Sequence, residues 1–290
     1  ADRLEPNRRI SQYDRSIGTD NPFGLSAKPE GNRRFFSDLD DTAHEVRASA
    51  RYLLSEAKAG RAKSYVEVGG ATLNRERIVE TRRYKFQGPA GQVESLDVLF
   101  ARDRIGNEQG QYRLLNTTQT TDDYKAIQKV YAGYLASEIG LLNRFRVMGG
   151  VRLENAEQNV STFSPFTGDD PVSAKLKNFD LLPSTSTTWV LTESMQLRAG
   201  YGRTVSRPEF RELSPARFDD VTNRQSVVGN PDLKRALIDH YDLRWELYFN
   251  ARDSISIAGF FKYFTDPIET KISCGADKTL TFRNSPSAQN

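Results

Sequence analysis

The sequence predicts an all-β protein: an antiparallel up-and-down transmembrane β-barrel, present in part, with about nine strands of a larger barrel, short periplasmic turns and long extracellular loops. Three observations point to this fold class. Apolar residues recur at every second position in segment after segment. No run of about eighteen apolar residues occurs anywhere, which excludes a helical membrane protein. The connections between alternating segments are short and long in turn. A barrel strand needs only about ten residues with every other one apolar. A chain of 290 residues that is 37% hydrophobic and 27% charged satisfies that requirement.

The segments follow one another in order. TAHE at Thr42–Glu45 has the form of a helix capping box and precedes VRASARYLLSEAKAG, which ends at Gly60. Propensity reads a helix there, while Val46, Ala48, Ala50, Tyr52 and Leu54 alternate as in a strand. From Tyr124, YKAIQKVYAGYLASEI is equally divided, with Ile127, Tyr131, Tyr134 and Leu135 at helical spacing and Tyr131, Gly133, Leu135 and Ile139 in alternation. The Lys129–Ile139 segment passes through GLLN (Gly140–Asn143) into FRVMGGVRLE (Phe145–Glu154), whose odd positions carry Phe145, Val147, Gly149, Val151 and Leu153 and whose even positions carry Arg146, Met148, Gly150, Arg152 and Glu154. In isolation this pattern fits either a soluble sheet packed on a core or a barrel strand facing lipid. A polar stretch over Ser161–Asn178 follows, then PSTSTTWVLT ending at Thr192, a tight turn at Glu193–Ser194, and MQLRAGYGRTV ending at Val205. A long connection from Ser206 to about Arg235 leads to LIDHYDLRWELYF (Leu237–Phe249), a sharp turn at NARD, and SISIAGFFKYF (Ser254–Phe264). Aromatic residues flank the short turns at Phe145, Trp189 and Phe249, as an interfacial girdle requires.

Composition narrows the function. The net charge of +3 comes from 41 basic and 38 acidic residues that are intermixed, so no basic stripe marks a nucleic-acid partner. The single cysteine, Cys274, excludes an internal disulfide framework. ADRLEPNRRI carries no apolar signal-peptide core, as expected of a processed protein or of a piece of a longer one. Phosphate-loop, zinc-protease, paired-cysteine and serine-elbow motifs are all missing, and His44 and His240 supply too little for a triad or a histidine metal site. The acidic groups Asp38, Asp40, Asp41 and Glu45, Asp169 and Asp170, and Asp219 and Asp220 lack the spacing of a calcium loop and read as solvated charge. Asn116-Thr117-Thr118 and Asn159-Val160-Ser161 match glycosylation sequons, which arise often by chance. No catalytic residue, no metal site and no cofactor is expected.

GYGRTVSRPEFREL (Gly200–Leu213) resembles the barrel of TonB-dependent outer-membrane receptors, as does an ordered set of further segments. These are YAGYLASEIGLLNRFRVMGGVRLE from Tyr131, LLPSTSTTWVLTESMQLRAGYGRTVSRPEF from Leu181, GNPDLK from Gly229, HYDLRWELY from His240 and FFKYFTDPIET from Phe260. Weaker similarity runs back through RRYKF at Arg82 and FSDLDDTAHE at Phe36. The resemblance implies a barrel of roughly twenty-two strands around a plugged lumen. It also implies residence in the outer membrane of a Gram-negative bacterium and uptake of a scarce ligand (siderophore, vitamin, glycan or peptide) driven from the inner membrane. Residues 1–290 are expected to be an internal part of that barrel domain, and no plug domain, TonB box or closing strands can be placed in them. The partners implied are outer-membrane lipid, an unknown small ligand and, through a plug, the TonB energy-coupling complex. The alternatives are a passive porin-like or structural barrel and a soluble β-rich glycan-binding protein.

With the apolar side toward lipid, Phe145, Val147, Val151, Leu153, Trp189, Tyr241, Leu243, Trp245, Leu247 and Phe249 are the expected lipid-facing residues. Polar residues expected to point inward near the extracellular rim, and so candidates for ligand contact, are Arg152, Glu154, Arg203, Arg207, Glu209 and Arg211. Their competing role is structural pairing across strands or against a plug. Pro208 lacks a ladder donor and should mark where a strand gives way to a long loop.

Overall fold

A computed structural model of the chain describes residues 2–15, 20–26, 31–55, 64–119, 121–141, 144–163, 171–220, 225–250, 252–274 and 278–290. Ten strands follow one another in the main sheet: β1 (Asp2–Ser11), β2 (Asn32–Ser55), β3 (Ser64–Gln87), β4 (Asp123–Leu141), β5 (Phe145–Phe163), β6 (Ser173–Thr192), β7 (Met195–Ser206), β8 (Ala236–Tyr248), β9 (Ser254–Thr265) and β10 (Ser287–Gln289). Their order in the sheet is their order in the chain, with Arg113–Asn116 added beside β3. β1 and β10 stand at opposite ends of that order, so the sheet is not closed. Among the described residues the last of these strands, β10, forms within the final RNSPSAQN and pairs Ser287–Gln289 with Tyr263–Thr265.

The two segments that periodicity left divided are both strands. Thr42–Ser55 lies within β2 and Tyr124–Ile139 within β4, and the stretch 56–60 of the first lies outside the described residues. Helical spacing loses here because adjacent strands take up the backbone donors and acceptors, and because alternation then sorts the side chains. Val46, Tyr52 and Leu54, and Tyr131, Leu135 and Ile139, are exposed on one face, while Ala126 and Val130 are buried on the other. The Leu142–Asn143 part of the first short turn, Asp169 and Asp170 also lie outside the described residues; Cys274, Asp219 and Asp220 are described by backbone alone.

Registers fix which side chains share a face. Between β7 and β8, Leu197 stands opposite Trp245, Ala199 opposite Leu243, Tyr201 opposite Tyr241 and Arg203 opposite Asp239. Between β6 and β7, Leu197 stands opposite Trp189. Directly opposed residues point the same way, so one apolar face runs across these strands. At Gly150 of β5 the neighbouring strand approaches closely: a Cβ there would stand 2.7 Å from the Leu135 carbonyl oxygen of β4. Pro208 follows the last residue of β7 by two positions, at the start of the long connection.

The chain divides into two compact units. The first (residues 1–42, 77–125 and 161–172) holds a small core of Leu25, Phe86, Leu99 and Tyr112, with Phe100 stacked on Phe86 at 4.3 Å. In it Arg82 pairs with Asp123 at 2.8 Å and Arg83 with Asp122 at 2.7 Å. Burial pushes the Asp122 carboxyl above its usual range, and the Arg83 guanidinium opposes that shift. The second unit (43–76, 126–160 and 173–290) holds the rest of the main sheet and a four-stranded sheet built from two long connections. In the latter, Gln225–Val228 pairs antiparallel with Arg217–Asp220 and parallel with Lys278–Asn284, and Lys278–Asn284 pairs with Ile268–Cys274. The chain leaves β9 through Asp266 at φ 52°, a left-handed conformation that Asp tolerates better than most residues, followed by Pro267.

Candidate functional site

The long connection after β7 folds back onto the polar side of β5 and β6 in the second unit. Its root is an ion network. Arg207 donates through Nη2 to Glu154 at 2.8 Å and to Asp180 at 2.9 Å. Arg152 donates to the other Glu154 oxygen at 2.6 Å, and Arg235 pairs with Asp180. Alternation puts Arg152 and Glu154 on one side of β5, and Asp180 on the matching side of β6, between the outward Phe179 and Leu181. The Asp180 side chain is fully buried and that of Arg207 is 13% exposed. Isolated charges do not survive such burial, so the pairing is what permits it. Three arginines meet two carboxylates here, which leaves one positive charge in excess.

Apolar packing completes the root. Pro208, Phe210, Leu213 and Ser214 are buried, and the Arg75 guanidinium of β3 lies 5.3 Å from the Phe210 ring. Gln158 of β5 donates to the Pro208 carbonyl at 3.0 Å. Glu209 and Glu212 form a reciprocal capping box around the Phe210–Leu213 helical turn. GNPDLK then packs on that turn: the Asn230 amide donates to the Glu212 carbonyl at 2.6 Å, and its side chain donates to the Phe282 carbonyl at 2.9 Å. Gly229 is required by this contact, since a Cβ there would fall 2.0 Å from the Ser214 carbonyl oxygen and 2.7 Å from that of Arg211. SRPEF and GNPDLK, separate in sequence, are therefore two sides of one anchor.

The six inward candidates divide accordingly. Arg152, Glu154 and Arg207 come together in the network; Glu209 caps the helical turn; Glu209 and Arg211 are exposed. Arg203 is a correction. Its register with Asp239 puts it on the face of Tyr201 and Tyr241, opposite to the inward direction expected for it. It is not isolated there: Nε and Nη2 reach the two Asp239 oxygens at 2.9 and 3.1 Å, and the Tyr201 hydroxyl donates to Asp239 at 2.7 Å. Tyr201, Tyr241 and Phe261 follow at centroid spacings of 5.1 and 6.1 Å. Asp239 is the one charged residue among the otherwise apolar odd positions of its strand, and Arg203 is its partner. Asp180, Arg235, Gln158 and Arg75 also belong to the anchor and were missed. Asp180, a lone acid between Phe179 and Leu181, was the available signal.

A second polar cluster lies near the short turns, where Glu246 takes Arg244 at 2.8 Å, Arg198 at 3.3 Å and the Gln196 amide. His240 is paired with Thr204 at 2.8 Å. Among the described residues no group of three or more His, Cys, Asp or Glu side chains is placed to hold a metal ion. On the opposite face, Leu153, Trp189, Tyr241, Leu243 and Phe249 are exposed, and Phe145, Val147, Val151, Trp245 and Leu247 are half-buried. Phe145 stacks on Trp189 at 5.4 Å beside the short turns.

An antiparallel meander with one apolar face, one charged face and turns that alternate short and long is the strand architecture of outer-membrane barrels. A family model described as TonB dependent receptor-like, beta-barrel, matches residues 2–290, and the chain belongs to that family of outer-membrane receptors of Gram-negative bacteria. It is 22% identical over 288 residues to the iron-regulated outer membrane virulence protein of Vibrio cholerae, covering 95% of this chain and 38% of that protein. Two solved structures share the fold. The ferric-catecholate import receptor Fiu from K12 E. coli superposes with a TM-score of 0.50 at 11% identity, over 99% of this chain and 39% of the receptor. The copper transporter OprC does so with a TM-score of 0.52 at 16% identity, over 86% of this chain and 33% of the transporter. The chain thus spans under two-fifths of the length of each.

Proposed function

We propose that these residues form part of the barrel wall of a receptor that takes up a scarce ligand with energy supplied through a TonB complex, acting as a transporter and not as an enzyme. The observation that carries this reading is the anchored connection between β7 and β8. A long loop held against the polar side of the sheet by buried ion pairs offers a fixed platform for ligand contact, with Glu209 and Arg211 exposed on it. Arg152, Glu154 and Arg207 hold the platform in place, and Arg211 with Glu209 are the groups placed to meet ligand. The excess of positive charge at the anchor favours an anionic ligand. The apolar face from Phe145 to Leu153 and from Tyr241 to Phe249 meets lipid over about the nine to eleven residues that a tilted barrel strand needs.

The test is uptake by the full-length parent protein in whole cells. Uptake of iron chelates, vitamins and glycans would be measured with and without a protonophore. Energised transport requires that the protonophore stop uptake, and uptake that persists would assign a passive pore. Arg211→Ala and Glu209→Ala should weaken ligand binding while the protein stays folded. If they leave binding unchanged and Arg152→Ala abolishes it in folded protein, the site belongs on the wall.

A further inference from the structure

The four-stranded sheet of the second unit ends at the Ile268–Cys274 strand, which pairs with Lys278–Asn284 on one side. Among the described residues no strand or loop backbone pairs with its other side. Every second residue of an edge strand points its N–H and C=O away from the sheet, so this edge offers unmet donors and acceptors to another extended chain. Glu269, Thr270, Lys271, Ile272 and Ser273 are all exposed. Pro267 bounds the edge at one end, because it has no N–H to give.

The two faces of the strand differ. Ile272 stands opposite Leu280, and Leu280 opposite Val227, so an apolar row crosses three strands and stops at the edge with Ile272 49% exposed. Ile268 and Thr270 share that face, while Glu269 and Lys271 belong to the other. Glu269 accepts from the Ser285 hydroxyl and lies 4.0 Å from Arg283. Lys271 has no carboxylate partner among the described residues.

A lysine on an edge ordinarily repels a further strand. Here the order Ile268, Glu269, Thr270, Lys271, Ile272 is its own complement when reversed. An antiparallel copy centred on Thr270 sets Ile268 against Ile272 and Glu269 against Lys271, each pair occurring twice. A slide of two residues puts Glu269 against Glu269 or Lys271 against Lys271. A slide of one residue sets the apolar face of one copy level with the polar face of the other. We propose that this edge joins two copies of the receptor about a two-fold axis at Thr270, so that their sheets become continuous. The contact is isologous, as a closed dimer requires. The second copy meets the outward backbone groups, covers Ile272 with its own Ile268 and supplies the carboxylate that Lys271 lacks. The assignment is independent of what the receptor transports.

The experiment is disulfide cross-linking of the full-length parent in outer membranes, in a background without other cysteines. Directly opposed residues of an antiparallel pair have Cα atoms about 4.5–5.5 Å apart, within the span that a disulfide accepts. Thr270→Cys should therefore give a covalent homodimer on mild oxidation. Ile272→Cys should not, because its counterpart in the second copy lies roughly 13 Å away along the strand. Charge reversal then tests the register by sedimentation of the detergent-solubilised protein. Glu269→Lys or Lys271→Glu should weaken dimerisation about tenfold, and the double variant Glu269→Lys, Lys271→Glu should restore it. The rescue separates a lost contact from a misfolded hairpin. A Thr270→Cys protein that stays monomeric, or that cross-links to a different protein, overturns the proposal. So does cross-linking through Ile272→Cys instead, or a dimer that neither reversal weakens. Should the charge variants fail to fold, the cross-link at Thr270 still decides.

Discussion

Asp180 shows how much can depend on one carboxylate. It is fully buried and takes both Arg207 and Arg235. Asp180→Ala leaves two guanidinium groups under the loop with one partner fewer, and about 3–5 kcal/mol of stability should be lost. Urea-driven unfolding of the full-length parent refolded into lipid vesicles measures this directly. Replacing Glu154, Asp180 and Arg207 together by apolar residues of similar volume should cost much less, because no charge is left stranded. Gly229→Ala acts through geometry instead: its Cβ would meet three backbone carbonyl oxygens of the helical turn, which have no rotamer to escape into. The GNPDLK segment should lift off, and faster protease cleavage within residues 229–235 would report it. The sequence showed each of these residues without its partner. Glu154 and Arg207 were legible as polar groups at a rim, but the closure of a 53-residue separation onto one ion pair was not.

At the scale of single strands, the alternation assigns faces and the register tests them. Leu243 stands on the apolar face opposite Ala199, so Leu243→Arg should cost about 2–4 kcal/mol if that position is near the bilayer midplane. Arg244→Leu, on the other face, removes one of the two arginines on Glu246 and should change stability little. Refolding yield into vesicles distinguishes the pair. Alternation put the expected lipid-facing residues of β5 and β8 on one face, as a period of two does wherever that face is apolar. It erred at Arg203, because one charged residue on an apolar face looks like a residue on the other face until its cross-strand partner is known. Asp239→Leu should therefore be more harmful than the double variant Arg203→Leu, Asp239→Leu, the comparison again being unfolding free energy. Thr42–Ser55 and Tyr124–Ile139 were divided between helix and strand for a related reason. Their residues form helices readily, and only neighbouring strands decide the matter.

For the molecule as a whole, the outer face of the second unit carries exposed Leu153, Phe179, Leu181, Leu243, Ile257 and Phe261, and such a surface is not stable in water. The full-length parent should fractionate with outer membranes and require detergent for extraction; appearance in the buffer-soluble fraction would refute the membrane assignment. By itself the sequence determined the class of strand, the alternation of short and long connections, the end of a strand just before Pro208, and the family, because these follow from local period and local turn chemistry. Tertiary structure alone decided the rest. It set the registers that put Arg203 beside Asp239 and folded SRPEF and GNPDLK into one anchor. Each of these depends on contacts between residues far apart in the chain, and a side-chain period of two records the face of a residue but not the neighbour it will meet there.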